Sequence, residues 1–176
     1  FALGRLVPYK DFGTLVEAAR FLSEDYRVLI GGSGPLKDEL QQQIDSDGLQ
    51  DKVRLLGYLE SWDVPNWFGA SDLFVLSSDW RTEAFGVVQI EAMSCGKPVV
   101  ATMIPHSGVS WVNDNGVSGY NVHPHDPKAL AAAIQQICDD PDTYMQFSAG
   151  AMERFETVFT SREMIDKIIK IYENKM

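Results

Sequence analysis

The chain has 176 residues, 45% of them hydrophobic and 23% charged, so it is long enough and apolar enough to bury the core of one domain. This composition excludes a disordered chain, a collagen-like repeat and a small peptide scaffold. Fifteen basic and 25 acidic residues give a net charge of −10, which argues against nucleic acid and anionic lipid surfaces as partners.

Short β-rich apolar runs alternate with segments of helical period along most of the chain. This alternation is typical of βα units on a parallel sheet, so the predicted fold class is α/β with helices on both faces of the sheet. The predicted strands cover residues 1–3, 26–30, 53–56, 73–76, 98–101 and 119–122.

Beyond residue 125 the pattern changes to helices alone. Asp126 is the predicted N-cap of a helix that begins at Pro127, and a second helix is predicted over residues 142–155. Thr160 begins a capping box that opens an amphipathic helix. Residues 1–176 contain no internal repeat or linker, and we interpret them as a single domain.

The cysteines and the start of the chain indicate its setting. Cys95 and Cys138 fit neither a disulfide framework nor a zinc-site spacing, which favours a reducing, cytoplasmic environment. No apolar run in the sequence approaches the roughly 20 residues that a membrane-spanning helix requires. The chain opens on Phe1, without an initiator methionine or signal pattern, so we expect an excised domain of a longer protein.

Two loops could bind a phosphate. The glycine-rich turn Gly31-Gly32-Ser33-Gly34-Pro35 could bring bare backbone close to a ligand, although a tight turn with nothing bound explains it equally well. Lys37 stands where a dinucleotide fingerprint needs its third glycine, and no P-loop spacing follows. Arg5 and Lys10, in the loop after the first strand, suit a diphosphate, with solvated surface charges as the alternative.

The most informative stretch, residues 77–93, follows the fourth strand, at the edge where open α/β sheets bind ligands. Gly86 is predicted to open a helix whose free N–H groups attract anions. Glu83 precedes this helix, and its alternative role is a favourable charge at the helix terminus. Glu91 lies eight residues further on, and a carboxylate on a largely buried helix needs partners. Ligand hydroxyls or a salt bridge to a neighbouring element would satisfy it.

In their order along the chain these motifs resemble glycosyltransferase family 4, specifically the carboxyl-terminal, donor-binding domain of retaining GT-B enzymes. The resemblance covers almost the whole chain, and it implies a Rossmann-like, three-layer parallel sheet that forms one half of a GT-B fold. The matching segments are residues 4–10, 31–35, 53–57, 70–78, the Glu-x7-Glu signature over 83–93, and 96–101.

The resemblance implies a role for each matching residue. Arg5 and Lys10 would bind the donor diphosphate and stabilise the departing nucleoside diphosphate, and with Glu83, which would contact the donor sugar, they are the predicted catalytic residues. The other predicted donor-binding residues are Phe85, Gly86 and Val87 beside the sugar and phosphates, Glu91 on the ribose hydroxyls, and Gly57 and Leu59 beside the base.

The resemblance also implies transfer of a sugar from a nucleoside diphosphate sugar, the donor substrate, in a reaction that needs no metal and no cofactor. The full-length protein would be a retaining hexosyltransferase of bacterial surface polysaccharide synthesis, cytoplasmic or peripheral to the inner face of the membrane. A glycan or lipid-linked acceptor would bind to an amino-terminal domain that this chain lacks, so the chain alone would be inactive. Residues 161–176 would form the helix that crosses to that domain, and their exposed apolar face would allow self-association.

Several positions depart from the family pattern. Tyr9 and Asp11 flank Lys10 where relatives commonly have Glu and Gly, and Trp111 replaces an acidic residue. Trp111 weakly favours a surface-polysaccharide transferase, or it packs against its loop. The three histidines, His106, His123 and His125, show no metal-ligand spacing and are interpreted as solvated or capping residues.

Two other functions remain open at this point. One is a non-catalytic nucleotide-sugar-binding module, against which the retention of Arg5, Lys10 and Glu83 argues. The other is a GT-B-related phosphorylase or epimerase, against which the Glu-x7-Glu signature argues.

Overall fold

Six parallel strands form the centre of the protein, whose residues 1–173 are described by a computed structural model. They pair as two three-stranded sheets, in the orders β1-β2-β3 and β4-β5-β6. The strands are β1 (Ala2–Leu3), β2 (Val28–Gly31), β3 (Val53–Gly57), β4 (Phe74–Leu76), β5 (Val99–Thr102) and β6 (Gly119–Val122).

The two sheets meet where β1 lies beside β4. The Val75 N–H donates to the Phe1 carbonyl at 2.8 Å, and the Phe1 nitrogen donates to the Leu73 carbonyl at 2.8 Å. Across the molecule the strands therefore follow the order β3, β2, β1, β4, β5, β6. From the central pair β1 and β4, the following strands of each sheet are added in opposite directions. Open α/β sheets bind ligands in the crevice beyond the carboxyl ends of such a pair.

Eight α-helices connect or follow these strands within residues 1–173. They are α1 (Phe12–Ala18), α2 (Lys37–Ser46), α3 (Val64–Ala70), α4 (Val87–Ser94), α5 (Val109–Val112), α6 (Pro127–Cys138), α7 (Pro141–Arg154) and α8 (Ser161–Glu173). Short 3₁₀ turns cover Pro8–Lys10 and Ala19–Phe21, and a π-helical turn covers Phe155–Phe159.

The core occupies both faces of the sheet because side chains alternate along each strand. Val75 and Val100 face a cluster with α1 and α6, whereas Phe74 and Val99 face a second cluster with α3 and α4. Helices therefore cover both faces, which confirms the predicted α/β, three-layer architecture.

All six predicted strands are present, with small differences at their ends. The second strand begins at Val28 and not at residue 26, because Tyr26 closes a turn by donating its N–H to the Ser23 carbonyl at 3.3 Å. The fifth begins at Val99, after Pro98, which has no N–H to donate to a neighbouring strand.

The helix caps agree with the sequence pattern at two sites and differ at a third. The Asp126 carboxylate accepts from the Ala129 N–H at 2.9 Å, and the Thr160 hydroxyl accepts from the Glu163 N–H at 3.3 Å. The helix predicted over residues 142–155 instead spans Pro141–Arg154, because Asp140 caps it and the π-helical turn follows.

The last helix, α8, buries none of its described residues. Its apolar side chains Met164, Ile165, Ile168, Ile169 and Tyr172 are exposed. A helix is thus present over residues 161–173, and residues 174–176 lie outside the described part. That it crosses to another domain stays a prediction. No helix within residues 1–173 is both long enough and apolar enough to cross a membrane.

Candidate functional site

A cavity of about 500 Å³ opens at the carboxyl edge of the sheet, between the loops that follow β1 and β4. It lies where the strand order reverses, as expected for a ligand site of an open α/β sheet. It is lined by Leu3, Gly4, Arg5, Lys10, Glu83, Ala84, Phe85, Gly86, Val87, Val88 and Glu91.

A larger cavity of about 700 Å³ lies near the amino ends of β2 and β4, around Phe1, Leu29 and Leu73. None of the predicted site residues lines it. Size alone would favour it, but the smaller cavity gathers the charged groups and the helix start, so we assign the candidate site there.

The centre of the site is an ion pair between Lys10 and Glu83, which lie 73 positions apart in the sequence. Each of these side chains is only 11% exposed. The Ser78 hydroxyl also donates to Glu83 Oε2 at 2.9 Å. Buried charges require such partners, and here each charge neutralises the other while a hydroxyl satisfies a further carboxylate lone pair.

The Lys10 backbone is fastened to the loop after β4. The Ser77 hydroxyl donates to the Lys10 carbonyl at 2.8 Å, and the Asp79 N–H donates to the Tyr9 carbonyl at 3.0 Å. These bonds fix the main chain at Lys10, from which the side chain extends to the carboxylate of Glu83.

The Glu83 backbone is fastened to the loop after β5. The Ser107 hydroxyl donates to the Glu83 carbonyl at 2.5 Å, and the Gly108 N–H donates to the Ala84 carbonyl at 2.8 Å. Glu83 is therefore positioned by hydroxyl groups on two different loops, Ser78 for the side chain and Ser107 for the main chain.

Gly86 lines the cavity at the start of α4 and has a left-handed backbone, at φ 69° and ψ 56°. A Cβ at this position would lie 2.6 Å from Gln89 Nε2 and 2.8 Å from Leu76 Cδ2. The first N–H groups of a helix have no acceptor within the helix, and Val87 and Val88, which begin α4, line the cavity. This end of the site is thus suited to an anionic group.

Glu91 and Arg5 lie at the rim of the cavity, and both residues are exposed. The surrounding protein still removes part of the water from the Glu91 carboxyl group, and this partial desolvation raises its pKa. Within residues 1–173 the Glu91 carboxylate makes no hydrogen bond and no salt bridge, so the alternative of a structural salt bridge is wrong for the described residues. Arg5 Nη2 lies 3.4 Å from the Tyr9 hydroxyl, which leaves most of its donors available.

The glycine-rich turn is not part of the cavity. A Cβ at Gly32 would lie 1.8 Å from the Gly4 carbonyl oxygen, and one at Gly34 would lie 2.4 Å from that of Leu6. The two backbones also bond directly, since the Leu6 N–H donates to the Ser33 carbonyl at 2.9 Å. The turn supports the loop that contains Arg5 and Lys10, which favours the packing interpretation.

Two further predicted residues, Gly57 and Leu59, do not line the cavity. The Gly57 carbonyl accepts from the Gly32 N–H at 2.7 Å, and the Leu59 side chain covers Gly31. Their proposed position beside a nucleotide base stays a prediction.

Trp111 packs beside the site. Its ring lies 5.8 Å from that of Phe85, and the Arg154 guanidinium lies 5.5 Å from it, yet 56% of the residue is exposed. These contacts support the packing interpretation of this departure from the family pattern.

A cluster that sequence patterns did not reveal lies next to Lys10. His125 Nδ1 is 3.1 Å from Asp11 Oδ2, and His125 Nε2 is 3.5 Å from Asp79 Oδ2. The His125 side chain is 66% exposed, as predicted for a solvated histidine, but it also lies beside two carboxylates. The ligand-type atoms of these residues lie within 4.8 Å of one another, so this cluster is where a divalent cation could be held.

Other residues of the site were also missed, and one of them had a sequence signal. Ser78 directly follows a predicted strand at the carboxyl edge, which is where functional side chains collect. Ser107 had no such signal because its contact depends on how two loops pack.

The chain is similar to known proteins along most of its length. The model of the family described as glycosyl transferases group 1 matches residues 1–154. A lipopolysaccharide core biosynthesis glycosyltransferase, LpsD of Rhizobium meliloti (strain 1021), is 32% identical over 171 residues, covering 97% of this chain and 48% of the relative. The chain thus spans about half the length of this relative.

Two solved structures are similar in fold. The crystal structure of Anabaena Alr3699/HepE in complex with UDP gives a TM-score of 0.85 at 28% identity, covering 99% of this chain and 49% of that one. The carboxyl-terminal domain of LpcC, a glycosyl transferase group 1 family protein of Francisella tularensis, gives 0.80 at 22% identity, covering 91% and 85%. This second likeness supports the fold alone.

Proposed function

Because the chain belongs to the family of group 1 glycosyl transferases, we propose that its cavity binds the nucleoside diphosphate sugar from which the full-length protein transfers a sugar. The observation that supports this most directly is the buried Lys10–Glu83 pair between the loops of β1 and β4. The pair holds a cation, which would bind phosphate, beside a carboxylate, which would accept hydrogen bonds from sugar hydroxyls.

The diphosphate would lie between Arg5, Lys10 and the start of α4. Lys10 supplies a buried point charge, Arg5 an exposed fork of donors, and Val87 and Val88 the free N–H end of the helix. Phosphate binding would give Lys10 a second anionic partner beside Glu83. The UDP complex of the similar Anabaena protein supports a nucleotide ligand for this fold.

The sugar and ribose would occupy the two ends of the cavity. Glu83, fixed by Ser78, would accept hydrogen bonds from the sugar, and Glu91, at the rim without a protein partner in the described part, would accept them from the ribose hydroxyls. Gly57 and Leu59 would flank the base. Ligand hydroxyls would offset the burial that raises the pKa of Glu91.

For the reaction we propose transfer with retained configuration, without a metal. The bond from the anomeric carbon to the phosphate oxygen breaks while the acceptor oxygen bonds to the same face of that carbon. The acceptor proton passes to the departing phosphate. Negative charge grows on the leaving diphosphate, so Arg5, Lys10 and the helix N–H groups would stabilise the transition state.

The rest of the protein would supply the acceptor. We propose that the chain is one donor-binding domain, with helix α8 crossing to an amino-terminal domain that binds a glycan or lipid-linked acceptor. The chain alone would then be inactive. The lipopolysaccharide relative supports a role in bacterial surface polysaccharide synthesis. We propose that the full-length protein acts in the cytoplasm or at the inner face of the membrane.

Calorimetric titration of the chain with UDP, GDP and ADP and their sugar conjugates tests donor binding. We expect one nucleotide to bind selectively, with the affinity lowered about tenfold or more in Lys10→Ala and Glu91→Ala. The control is Glu39→Ala, because Glu39 is an exposed residue of α2 that does not line the cavity. Equal affinity in the parent and both variants would refute the site.

Turnover by the full-length protein tests the chemistry. Glu83→Ala should lower kcat far more than donor affinity, and product analysis should find a retained anomeric configuration with no effect of EDTA. Transfer at the parent rate in the variant would rule out the role of Glu83, and an inverted product would rule out the same-face reaction.

A further inference from the structure

The turn before α4, residues 83–86, is held by hydrogen bonds at three successive carbonyls. The first two accept from the Ser107 hydroxyl and the Gly108 N–H, which both come from the loop after β5. The third, that of Phe85, accepts from Gln89 Nε2 at 3.2 Å. These bonds fix the main chain of the turn, so the position of the Phe85 ring depends on what packs against it.

Phe85 is partly buried, and it contributes an aromatic ring to the lining of the cavity. The centre of this ring lies 5.8 Å from that of Trp111 and 6.2 Å from that of Phe159, which meets it edge-on. A Cβ at Gly108 would lie 2.9 Å from Phe85 Cδ2, so the loop after β5 also presses on the ring. Of these neighbours Trp111 presents the largest apolar surface.

Trp111 is itself held in place, although 56% of the residue is exposed. The Arg154 guanidinium lies 5.5 Å from the Trp111 ring and 5.7 Å from the Phe159 ring, which is the range of cation–π contacts. Arg154 also donates to the carbonyls of Trp111 and Val112, and it pairs with Asp114 at 3.2 Å. The indole is therefore a fixed surface against which Phe85 packs.

Phe85 connects the indole to the cavity. The described lining of the cavity includes Phe85 and Glu83 but not Trp111, so an effect of the indole on a ligand has to pass through the Phe85 ring. Without the indole, this ring would lose its largest aromatic neighbour and could turn to other rotamers. The cavity wall beside Glu83 would then change shape, whereas Lys10, in the loop after β1, would keep its attachment to Ser77.

We infer that Trp111 is a positioning residue for the donor sugar, because it holds the Phe85 ring in the wall of the cavity beside Glu83. The inference rests on the proposed function, in which Glu83 contacts the sugar and Lys10 the diphosphate. Trp111 itself makes no contact with the donor. Its loss therefore impairs binding of the sugar and spares binding of the nucleotide.

Calorimetric titration with three pairs of ligands tests the inference: UDP and UDP-glucose, GDP and GDP-mannose, and ADP and ADP-glucose. Within a pair only the sugar differs, so the ratio of the two affinities reports on the sugar end of the site. The variants are Trp111→Ala, Trp111→Phe, Phe85→Ala and the Phe85→Ala/Trp111→Ala double variant. Trp62→Ala is the matched control, because Trp62 is 76% exposed and does not belong to the described lining of the cavity.

For the pair that the parent binds, we expect Trp111→Ala to weaken binding of the nucleotide sugar about three- to tenfold and that of the free nucleotide less than about twofold. Trp111→Phe keeps a ring against Phe85 and should restore most of the affinity. Trp62→Ala should leave the ratio unchanged. The double variant should bind no more weakly than Phe85→Ala, because a residue that acts through Phe85 has no effect once that ring is gone. Affinities are compared well below the melting temperature of each variant, which separates the effect from unfolding.

Three results would overturn the inference while leaving the proposed function intact. They are parent-like affinity for the nucleotide sugar in Trp111→Ala, an equal loss for the free nucleotide, and a further loss in the double variant. The second would make Trp111 a support of the fold, and the third would mean that it acts by a route other than Phe85. If the parent binds none of the three pairs, or if Lys10→Ala binds its pair as tightly as the parent, the proposed function fails and the inference fails with it.

Discussion

Two glycine-containing turns leave the carboxyl edge of the sheet, and they differ in what occupies the space beside the glycine. In the turn after β2, the backbone of the loop that contains Arg5 occupies the space that a side chain at Gly32 or Gly34 would need. In the turn after β4, the Gly86 position is bounded by side chains, and the residues that follow it line the cavity. The first turn supports the site and the second forms it.

This difference shows why a count of glycines is a poor guide to ligand binding. Both turns follow a buried strand and precede a helix, so their local sequence signals are alike. The distinction arises from tertiary packing, because β1 lies between β2 and β4 and its loop presses on one turn while leaving the other open. Substitutions at the two turns should therefore affect stability and binding in different proportions.

The largest expected effect is that of Gly34→Ala. The new Cβ would lie 2.4 Å from the Leu6 carbonyl oxygen and 2.7 Å from the Leu6 nitrogen, and backbone atoms cannot move aside as a side chain can. We expect a loss of about 3 to 5 kcal/mol in the free energy of unfolding, measured by urea denaturation.

Gly69→Ala is the control for this change, because no atom lies within 4 Å of a Cβ at that helical position. It should leave stability unchanged or raise it by about 0.5 kcal/mol or more. Similar stabilities for Gly34→Ala and Gly69→Ala would mean that the turn after β2 is not packed as the structure has it.

Gly86→Ala should have a smaller effect on stability and a larger one on binding. Its cost combines the left-handed backbone with contacts to two side chains, Gln89 and Leu76, which can adjust. We expect a loss of about 1 to 3 kcal/mol, together with weaker UDP binding by the folded protein because the start of α4 shifts. If fully folded Gly86→Ala binds UDP as tightly as the parent, the proposed difference between the two turns is wrong.

The sequence predicted the fold and the family more completely than it predicted the site. The alternation of strands and helices placed all six strands, and the order of motifs led to the group 1 glycosyl transferases, both of which are confirmed. Strand ends were wrong where a turn or a proline removed an N–H donor, as at Tyr26 and Pro98.

Within the site, residues close in sequence to a strand end were predictable and contacts between loops were not. Lys10, Glu83 and Gly86 were found because each follows a strand at the carboxyl edge, and the structure brings them together. The contacts of Ser107 and His125 depend on how the loops after β1, β4, β5 and β6 pack, which leaves no local pattern in the sequence.

The smallest effect is expected for the carboxylates on the helices that follow the two turns, Glu39 on α2 and Glu91 on α4. Burial raises the pKa of Glu91 above its ordinary value of 4.5 in the folded protein, so the folded state retains the proton more strongly than the unfolded state. Stability therefore falls as pH rises from about 4.5 through the higher folded value, and the full penalty is present at neutral pH.

Glu91→Gln should remove this penalty. Because Glu91 is exposed at the rim and water screens its charge, we expect a gain of only about 0.5 kcal/mol or less at pH 7, vanishing near pH 4. UDP binding should weaken in the same variant, since an amide is a poorer acceptor for ribose hydroxyls than a carboxylate.

The matched control is Glu39→Gln, in the first turn of α2, which follows the glycine-rich turn. It should be slightly less stable than the parent, because it loses a favourable charge at the start of a helix, and it should keep its UDP affinity. A gain in stability together with weaker UDP binding is expected of a carboxylate that serves the ligand and not the fold. If Glu91→Gln instead loses both stability and UDP affinity, Glu91 stabilises the folded protein.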